Sequence, residues 1–193
     1  MRYIQLAMEA SIPLLGFFLW DWSLYFILLF YFIDLIAAEL IMHLKSKKIV
    51  QYLQAQQSKK DWVIRSTFSF TVLLLGGALI HFSMLFIQDG IDFSMEIAAF
   101  WNYEEMGLKQ GYIFVPLVFL LSYQQYKMEF LLPARYRTLQ VVDVWKKHTK
   151  ALIVVAGFSG ICLGVSLVYV LPEIVFVFGI VTFTVLYKLK FDN

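Results

Sequence analysis

Charged residues are scarce in this chain. Only 16% of its 193 residues are Asp, Glu, Lys or Arg, and 61% are hydrophobic, whereas a soluble domain averages about 25% charged residues. A water-soluble fold of this composition could not cover its surface with polar groups. The net charge of +2 is also too small to indicate a nucleic-acid partner. The composition therefore predicts the lipid bilayer as the solvent and excludes binding of nucleic acid through basic charge.

Cysteine and histidine are also sparse, with one Cys and three His residues. A lone Cys162 cannot form an intrachain disulfide. No His, Cys and Asp cluster has the spacing of a structural zinc site. His81 has no second histidine at a matching depth, because His43 lies near the opposite membrane face and His148 lies outside the runs, which argues against a haem held by two histidines. No Gly-rich phosphate loop is present. We therefore expect no metal, no cofactor and no catalytic residue, although the sequence leaves enzyme activity uncertain.

Long apolar runs are abundant instead. A membrane-spanning helix needs about 20 mostly apolar residues. Six runs qualify, and they cover residues 4–20, 22–44, 66–87, 112–132, 151–171 and 172–189. The connections between them are short. We predict an all-α integral membrane protein in which residues 1–193 form a single transmembrane domain, a bundle of six helices.

The first run is the shortest and follows a basic residue, Arg2, as a signal peptide would. The sequence Trp20-Asp21-Trp22 follows it, where a cleaved signal would have small residues. We therefore expect a retained helix.

The basic residues are distributed unevenly around these runs. If the runs alternate in direction, fifteen of the sixteen Lys and Arg residues fall on one side, and only Lys109 falls on the other. Lys and Arg near helix ends stay in the cytoplasm. We therefore predict a multi-pass protein with its N-terminus and C-terminus in the cytoplasm, and we expect the cytoplasmic (inner) membrane of a bacterium.

The segment 92–105 has a pattern of its own. Phe93, Ile97, Phe100 and Trp101 recur at roughly helical spacing, with acidic residues between them. This pattern indicates either a short helix on the outer membrane surface or a plain connecting loop, and the sequence leaves both open.

A similar apolar pattern precedes the fifth run. Leu139, Val142 and Trp145 come just before Lys146. We expect an inner interfacial helix with Trp145 at the level of the lipid headgroups.

Five acidic or histidine residues lie within the first three apolar runs, and such groups are candidates for ion or proton sites because they are costly in lipid. Glu9 and Asp34 lie twelve and thirteen residues on either side of Asp21, hence at a similar depth of roughly 18–20 Å. They can face each other across the first two helices and share a proton or a cation. Alternatively, each is neutral and hydrogen-bonded on its own.

The other three candidates are Glu39, His43 and His81. Glu39 and His43 are four residues apart and share a helix face. They can form a proton relay or an interfacial salt bridge near Lys45, and we favour the salt bridge. His81 has no partner that the sequence predicts.

Glycines are concentrated in the fifth run, at Gly157, Gly160 and Gly164. Small residues let helix backbones approach closely within a bilayer. We predict that this helix lies inside the bundle or at an interface with another protein.

The sequence Gly157-Phe158-Ser159-Gly160 resembles the nucleophile motif of rhomboid intramembrane proteases. A catalytic serine there would need a base on a neighbouring helix. The sixth run contains no histidine, and the predicted direction of the serine's helix is opposite to that of rhomboids. A protease is therefore only a distant alternative.

The N-terminal third contains Ile12-Pro13-Leu14-Leu15-Gly16, then Trp22 and Tyr31-Phe32-Ile33-Asp34. Over residues 10–45 this resembles an uncharacterised family of prokaryotic multi-pass membrane proteins, a domain of unknown function. That family has a Trp where Phe32 stands here and a Glu where Asp34 stands. The resemblance implies a polytopic membrane fold and an acid at position 34, without an activity.

Two function classes remain. The first is a non-catalytic accessory or structural subunit of a membrane protein complex, which binds other membrane subunits or a second copy of itself. The alternative is a small proton- or cation-coupled transporter or channel that uses Glu9 and Asp34. We favour the subunit, because few polar residues are available to line a path for a solute.

Overall fold

The computed structural model describes residues 2–54, 56–105, 108–169 and 171–191. It does not describe the side chains of residues 2–9, 56–58, 105, 108–110, 147, 187, 188, 190 and 191. The described chain is almost entirely helical, so the prediction of an all-α fold is confirmed. The seven α-helices are α1 Arg2–Leu19, α2 Leu24–Leu53, α3 Gln56–Ile87, α4 Phe93–Asn102, α5 Gln110–Tyr126, α6 Val141–Val168 and α7 Glu173–Phe191.

Short irregular elements connect some of these helices. A π-helical segment, Lys127–Leu131, continues α5, and a 3₁₀ turn follows at Arg135–Arg137. Two-residue strands, β1 Glu104–Glu105 and β2 Leu108–Lys109, pair in antiparallel fashion between α4 and α5.

Three helices of the described chain are long and apolar enough to cross a membrane, namely Leu24–Leu53, Lys59–Ile87 and Val141–Val168. The chain itself buries only 33%, 22% and 17% of their most apolar windows. Most of this surface therefore needs an apolar solvent, as the composition predicted. Two shorter apolar helical stretches are Ala10–Leu19 and Glu173–Leu186.

The first buried core, which we call the Trp22 end, lies where α1 turns into α2. Asp21 adopts a left-handed backbone there, with φ of 53°, and the Trp22 amide donates a hydrogen bond to the Gly16 carbonyl at 3.0 Å. The Trp22 ring lies against Gly16 so closely that a Cβ at position 16 would overlap it. Phe26 and Phe100 complete this aromatic core, with ring centroids 4.8 Å apart.

The predicted helix within segment 92–105 is present as α4, so the alternative of a plain loop is wrong. Asp92 caps it, because its side chain accepts hydrogen bonds from the amides of Ser94 and Met95. Phe100 is buried against the Trp22 end. Ser23 then joins α4 to the start of α2, because its hydroxyl donates to Glu96 at 2.7 Å.

The second buried core, the Trp145 end, lies at the opposite end of α2. It contains Met42, Ile49, Phe130, Val141 and Trp145. The helix expected before the fifth run is continuous with it, because α6 runs without interruption from Val141. Trp145 is fully buried rather than exposed to headgroups.

Helix directions follow from side chains that meet. Tyr25 contacts His81 near the Trp22 end, whereas Glu39 contacts Ser69 near the Trp145 end, so α2 and α3 are antiparallel. Glu39 also contacts His148 at the start of α6. Nearer the Trp22 end, Ser83 of α3 and Cys162 of α6 line one cavity with Leu24. Consequently α3 and α6, which pack closely against each other, run in the same direction.

The glycine face of α6 points away from this packing. Gly157, Gly160 and Gly164 are all exposed, and a Cβ built at any of them would meet no atom of the described chain within 4 Å. The glycines therefore do not pack against the other described helices, although α6 itself packs within the bundle on α3 and α2. An interface with another protein stays a prediction.

Candidate functional site: a carboxylate between two histidines

The most buried acidic side chain that the structure describes is Glu39, on the face of α2 that meets α3 and α6. Only 3% of the residue is exposed. A carboxylate in such a place needs compensating partners, because removing its water costs several kcal/mol. The surrounding helices supply them.

One carboxylate oxygen, Oε2, has two short contacts from different helices. The Ser69 hydroxyl of α3 donates to it at 2.6 Å. Nε2 of His148, on α6, lies 2.6 Å from the same oxygen. Because a carboxylate only accepts hydrogen bonds, the imidazole is the donor in this pair.

The other oxygen, Oε1, lies 3.0 Å from Nε2 of His43, one turn further along α2. This contact is too poorly aligned to be a hydrogen bond, and Oε1 accepts none from the described chain. We therefore read it as a close charge contact. Nδ1 of His43 lies 3.1 Å from the Ser66 hydroxyl of α3, which fixes the plane of the ring.

Trp145 covers one side of this cluster. Its ring lies edge-on to both imidazoles, with centroids 5.3 Å from His43 and 5.8 Å from His148. Trp145 is fully buried, so the carboxylate and the imidazoles are shielded from water on this side. Shielding strengthens the interactions of the cluster and raises the cost of breaking it.

This arrangement can do two things chemically. A carboxylate flanked by two imidazoles can take a proton from one ring and pass it toward the other, as proton relays in membrane proteins do. It can equally hold α2, α3 and α6 together, since each of the three helices contributes a partner. Either imidazole can supply the positive charge that compensates the buried carboxylate.

The structure thus brings together two of the sequence-predicted residues, Glu39 and His43, in the predicted i, i+4 contact. The contribution of His148 was missed, since the sequence placed it outside the spans. No spacing pattern could have found it, because His148 is 109 positions from Glu39 and meets it only through the packing of α6 on α2.

His81 lies elsewhere, near the Trp22 end, and has two partners of its own. Its Nδ1 donates to the carbonyl of Gly77, and its Nε2 is hydrogen-bonded to the Tyr25 hydroxyl, both at 2.8 Å. His81 therefore joins α3 to α2.

Asp34 lies apart from the Glu39 cluster, because it is exposed and borders a cavity between helices. The side chain of Glu9 lies outside the described residues, so its pairing with Asp34 stays a prediction. The backbone of α1 packs more extensively on α7 than on α2.

The structure also bears on metal binding and on the motif that resembles a protease. Among the described residues, no group of three or more His, Cys, Asp or Glu side chains is arranged to hold a metal ion. Ser159, in the motif that resembles a protease, donates its hydroxyl to the Val155 carbonyl at 3.0 Å. The cavity that Ser159 borders has no histidine among its lining residues.

The fold and the cluster together define a helical protein with helices suited to a bilayer and a buried carboxylate–imidazole cluster near one end. The chain matches no family model, no curated protein and no solved structure. The resemblance of residues 10–45 to an uncharacterised membrane family therefore stays a prediction.

Proposed function

We propose that this chain is a six-span protein of a bacterial cytoplasmic membrane, with both termini in the cytoplasm, and that it is a non-catalytic subunit of a membrane protein complex. The observation that carries the proposal is the exposed glycine face of α6. The partner it fits is a transmembrane helix of another subunit or of a second copy.

The helix lengths support six spans. Beyond the three longest helices, α1 has 18 residues, α7 has 19, and the 17 residues of α5 continue into the five of the π segment. Each of these approaches or exceeds the length of about 20 residues that a bilayer requires. The two buried cores lie at opposite ends of α2, as alternating helices require.

Basic and acidic side chains lie at opposite ends of α2. Lys45 and Lys48 lie over the aromatic rings of Phe130 and Tyr136 near the Trp145 end. At the Trp22 end, Glu96 contacts Ser23, and Glu173 lies 3.4 Å from the Leu24 amide. This arrangement supports a cytoplasmic Trp145 end.

The glycine face supports a partner for an energetic reason. Each glycine inside a helix is less favourable than alanine by about 1 kcal/mol. Within the described chain, Gly157, Gly160 and Gly164 gain nothing for this cost, because no atom packs where their side chains would be. Glycines at such spacing allow a second helix to approach closely in lipid, where van der Waals packing drives association.

The test compares two substitutions of a small residue by leucine. Gly160→Leu fills the proposed interface, and Ala78→Leu is the matched control on an exposed position of α3. Both variants should fold, since leucine favours helix and meets open space at position 160. We expect the wild type and Ala78→Leu to be extracted from membranes in the same complex, and Gly160→Leu to be extracted as the lone chain. A lone wild-type chain, or an unchanged complex with Gly160→Leu, contradicts the proposal.

A second candidate, movement of protons or cations, is favoured by the buried Glu39 cluster rather than by Glu9 and Asp34. Purified chain in liposomes would then conduct protons, Glu39→Gln would abolish the flux, and Glu129→Gln, at an exposed position in the π segment, would not. Proton flux that is the same with Glu39→Gln as with the wild type eliminates this candidate.

A further inference from the structure

A cavity of about 180 Å³ lies between α2, α3, α6 and α7. It exists because α7 is kept apart from α6 by a stacked aromatic pair. The rings of Phe158 and Phe183 lie face to face at 4.1 Å, with an angle of 8° between their planes. Because α6 packs closely on α3 instead, the space beside this pair remains open.

The cavity has the length and the character of a site for a hydrocarbon chain. Its lining on α2 extends from Leu24 to Leu35, which is roughly 16 Å along the helix and about half of a bilayer's hydrocarbon core. Its walls are predominantly Leu, Ile, Val and Phe side chains. An apolar cavity of about 150 Å³ stays dry and binds benzene, so part of one chain fits here.

The polar groups in the wall are mostly acceptors of hydrogen bonds. Ser83, Ser159 and Thr184 each donate their hydroxyl to the carbonyl four residues earlier, at 2.8, 3.0 and 2.8 Å. Their hydrogens are therefore engaged, and their oxygens can still accept. Asp34 adds carboxylate oxygens to the lining. The lining also contains Tyr31, whose hydroxyl can donate. A ligand group that both donates and accepts, as an alcohol does, therefore matches this wall.

The depth of Asp34 restricts the ligand further. It lies ten residues into α2, about 15 Å along the helix from Leu24. A charged headgroup at that depth would be costly, and an ionised carboxylate or phosphate would also have no hydrogen to donate to Asp34. A neutral hydroxyl avoids both problems and can donate to the acid.

From these observations we propose that the cavity binds a long-chain alcohol, of the fatty or prenyl type, with its hydroxyl at Asp34 and its chain between α2, α6 and α7. This binding site is separate from the proposed subunit interface, since the cavity and the glycine face lie on different faces of α6.

The lone Cys162 permits a test on the unmodified chain, because it lines the cavity. In liposomes of a neutral phospholipid, we expect a saturating amount of a C16 alcohol to slow the reaction of Cys162 with a small membrane-permeant maleimide. Hexadecyl methyl ether, which has the same chain but no hydrogen to donate, should protect less, by a factor of about two to ten, as expected for one hydrogen bond. Equal protection by the ether, or no protection by the alcohol, overturns the proposal.

Variants locate the binding within the cavity. Asp34→Leu should reduce protection by the alcohol to the level of the ether. Val155→Trp fills the cavity from α6, whereas Leu74→Trp places the same ring at an exposed position of α3, away from the cavity and from the glycine face. A photoreactive derivative of the alcohol should label the cavity lining in the wild type and in Leu74→Trp but not in Val155→Trp. Equal labelling of all three chains refutes the cavity as the site. If Val155→Trp fails to fold, the protection of Cys162 in the unmodified chain decides the proposal.

Discussion

The behaviour of single residues in this chain follows from the cost of polar groups in apolar surroundings. Glu39 is tolerated because Ser69, His43 and His148 surround its two oxygens. These contacts come from α2, α3 and α6, so the carboxylate connects elements that are distant in sequence. Its removal should therefore affect the folding of the whole bundle.

Glu39→Ala should lower the free energy of unfolding by about 3–5 kcal/mol, the usual cost of removing one partner from a buried charge cluster. The loss arises because the His148 imidazole and the Ser69 hydroxyl remain buried without their acceptor. Reversible unfolding in mixed micelles measures it, and Glu129→Ala is the matched control at an exposed position, with an expected change below about 0.5 kcal/mol. Equal losses in the two variants would show that the Glu39 cluster does not stabilise the fold.

How far the sequence predicts this site depends on the range of each contact. The contact of Glu39 with His43 follows from helix periodicity and was predictable. Ser66 and Ser69 share a face of α3, but nothing in their spacing indicates that α2 lies opposite. His148 and Trp145 depend on where α6 packs, which the pattern of apolar residues does not determine, because in lipid every face of a helix is apolar.

Among the elements, α4 is the most sensitive to local chemistry, since it is short, with ten residues. Isolated helices of this length are marginal. The Asp92 carboxylate accepts hydrogen bonds from two amides in the first turn of α4. Phe100 packs α4 against the Trp22 end.

Asp92→Ala should destabilise α4 by about 0.5–2 kcal/mol through loss of the cap. Hydrogen exchange of the α4 amides should quicken accordingly, while exchange in α2 stays unchanged. Asp92→Asn should retain protection, since asparagine caps nearly as well, and Asp89→Ala, in the preceding turn, should have no effect. Unaltered exchange in Asp92→Ala would mean that packing of Phe100 alone maintains the helix.

The helices themselves were largely predictable from the apolar runs, but their ends were not. The second run was predicted to end at residue 44, whereas α2 continues to Leu53. Lys, Gln and Leu are good helix formers, so the backbone stays helical after hydropathy falls. The same effect joins residues 141–150 to α6 in one continuous helix. The π segment after α5 has no sequence signal that we can identify.

At the scale of the whole molecule, the proposed topology depends on the positions of the two buried cores and on the distribution of the basic residues. The aromatic Trp22 end and the Trp145 end lie at opposite ends of α2. The basic residues of the connections and termini, with the exception of Lys109, belong to the side of the Trp145 end if six helices alternate across the bilayer.

The most direct test of this account measures the compartment that each side faces. Single cysteines replace Lys47 and Glu104, both exposed in the structure, in a Cys162→Ser chain, and a membrane-impermeant maleimide is added to intact cells and to inverted membrane vesicles. The account predicts that position 104 reacts only in intact cells and position 47 only in inverted vesicles. Reaction of both positions from the same side would contradict it.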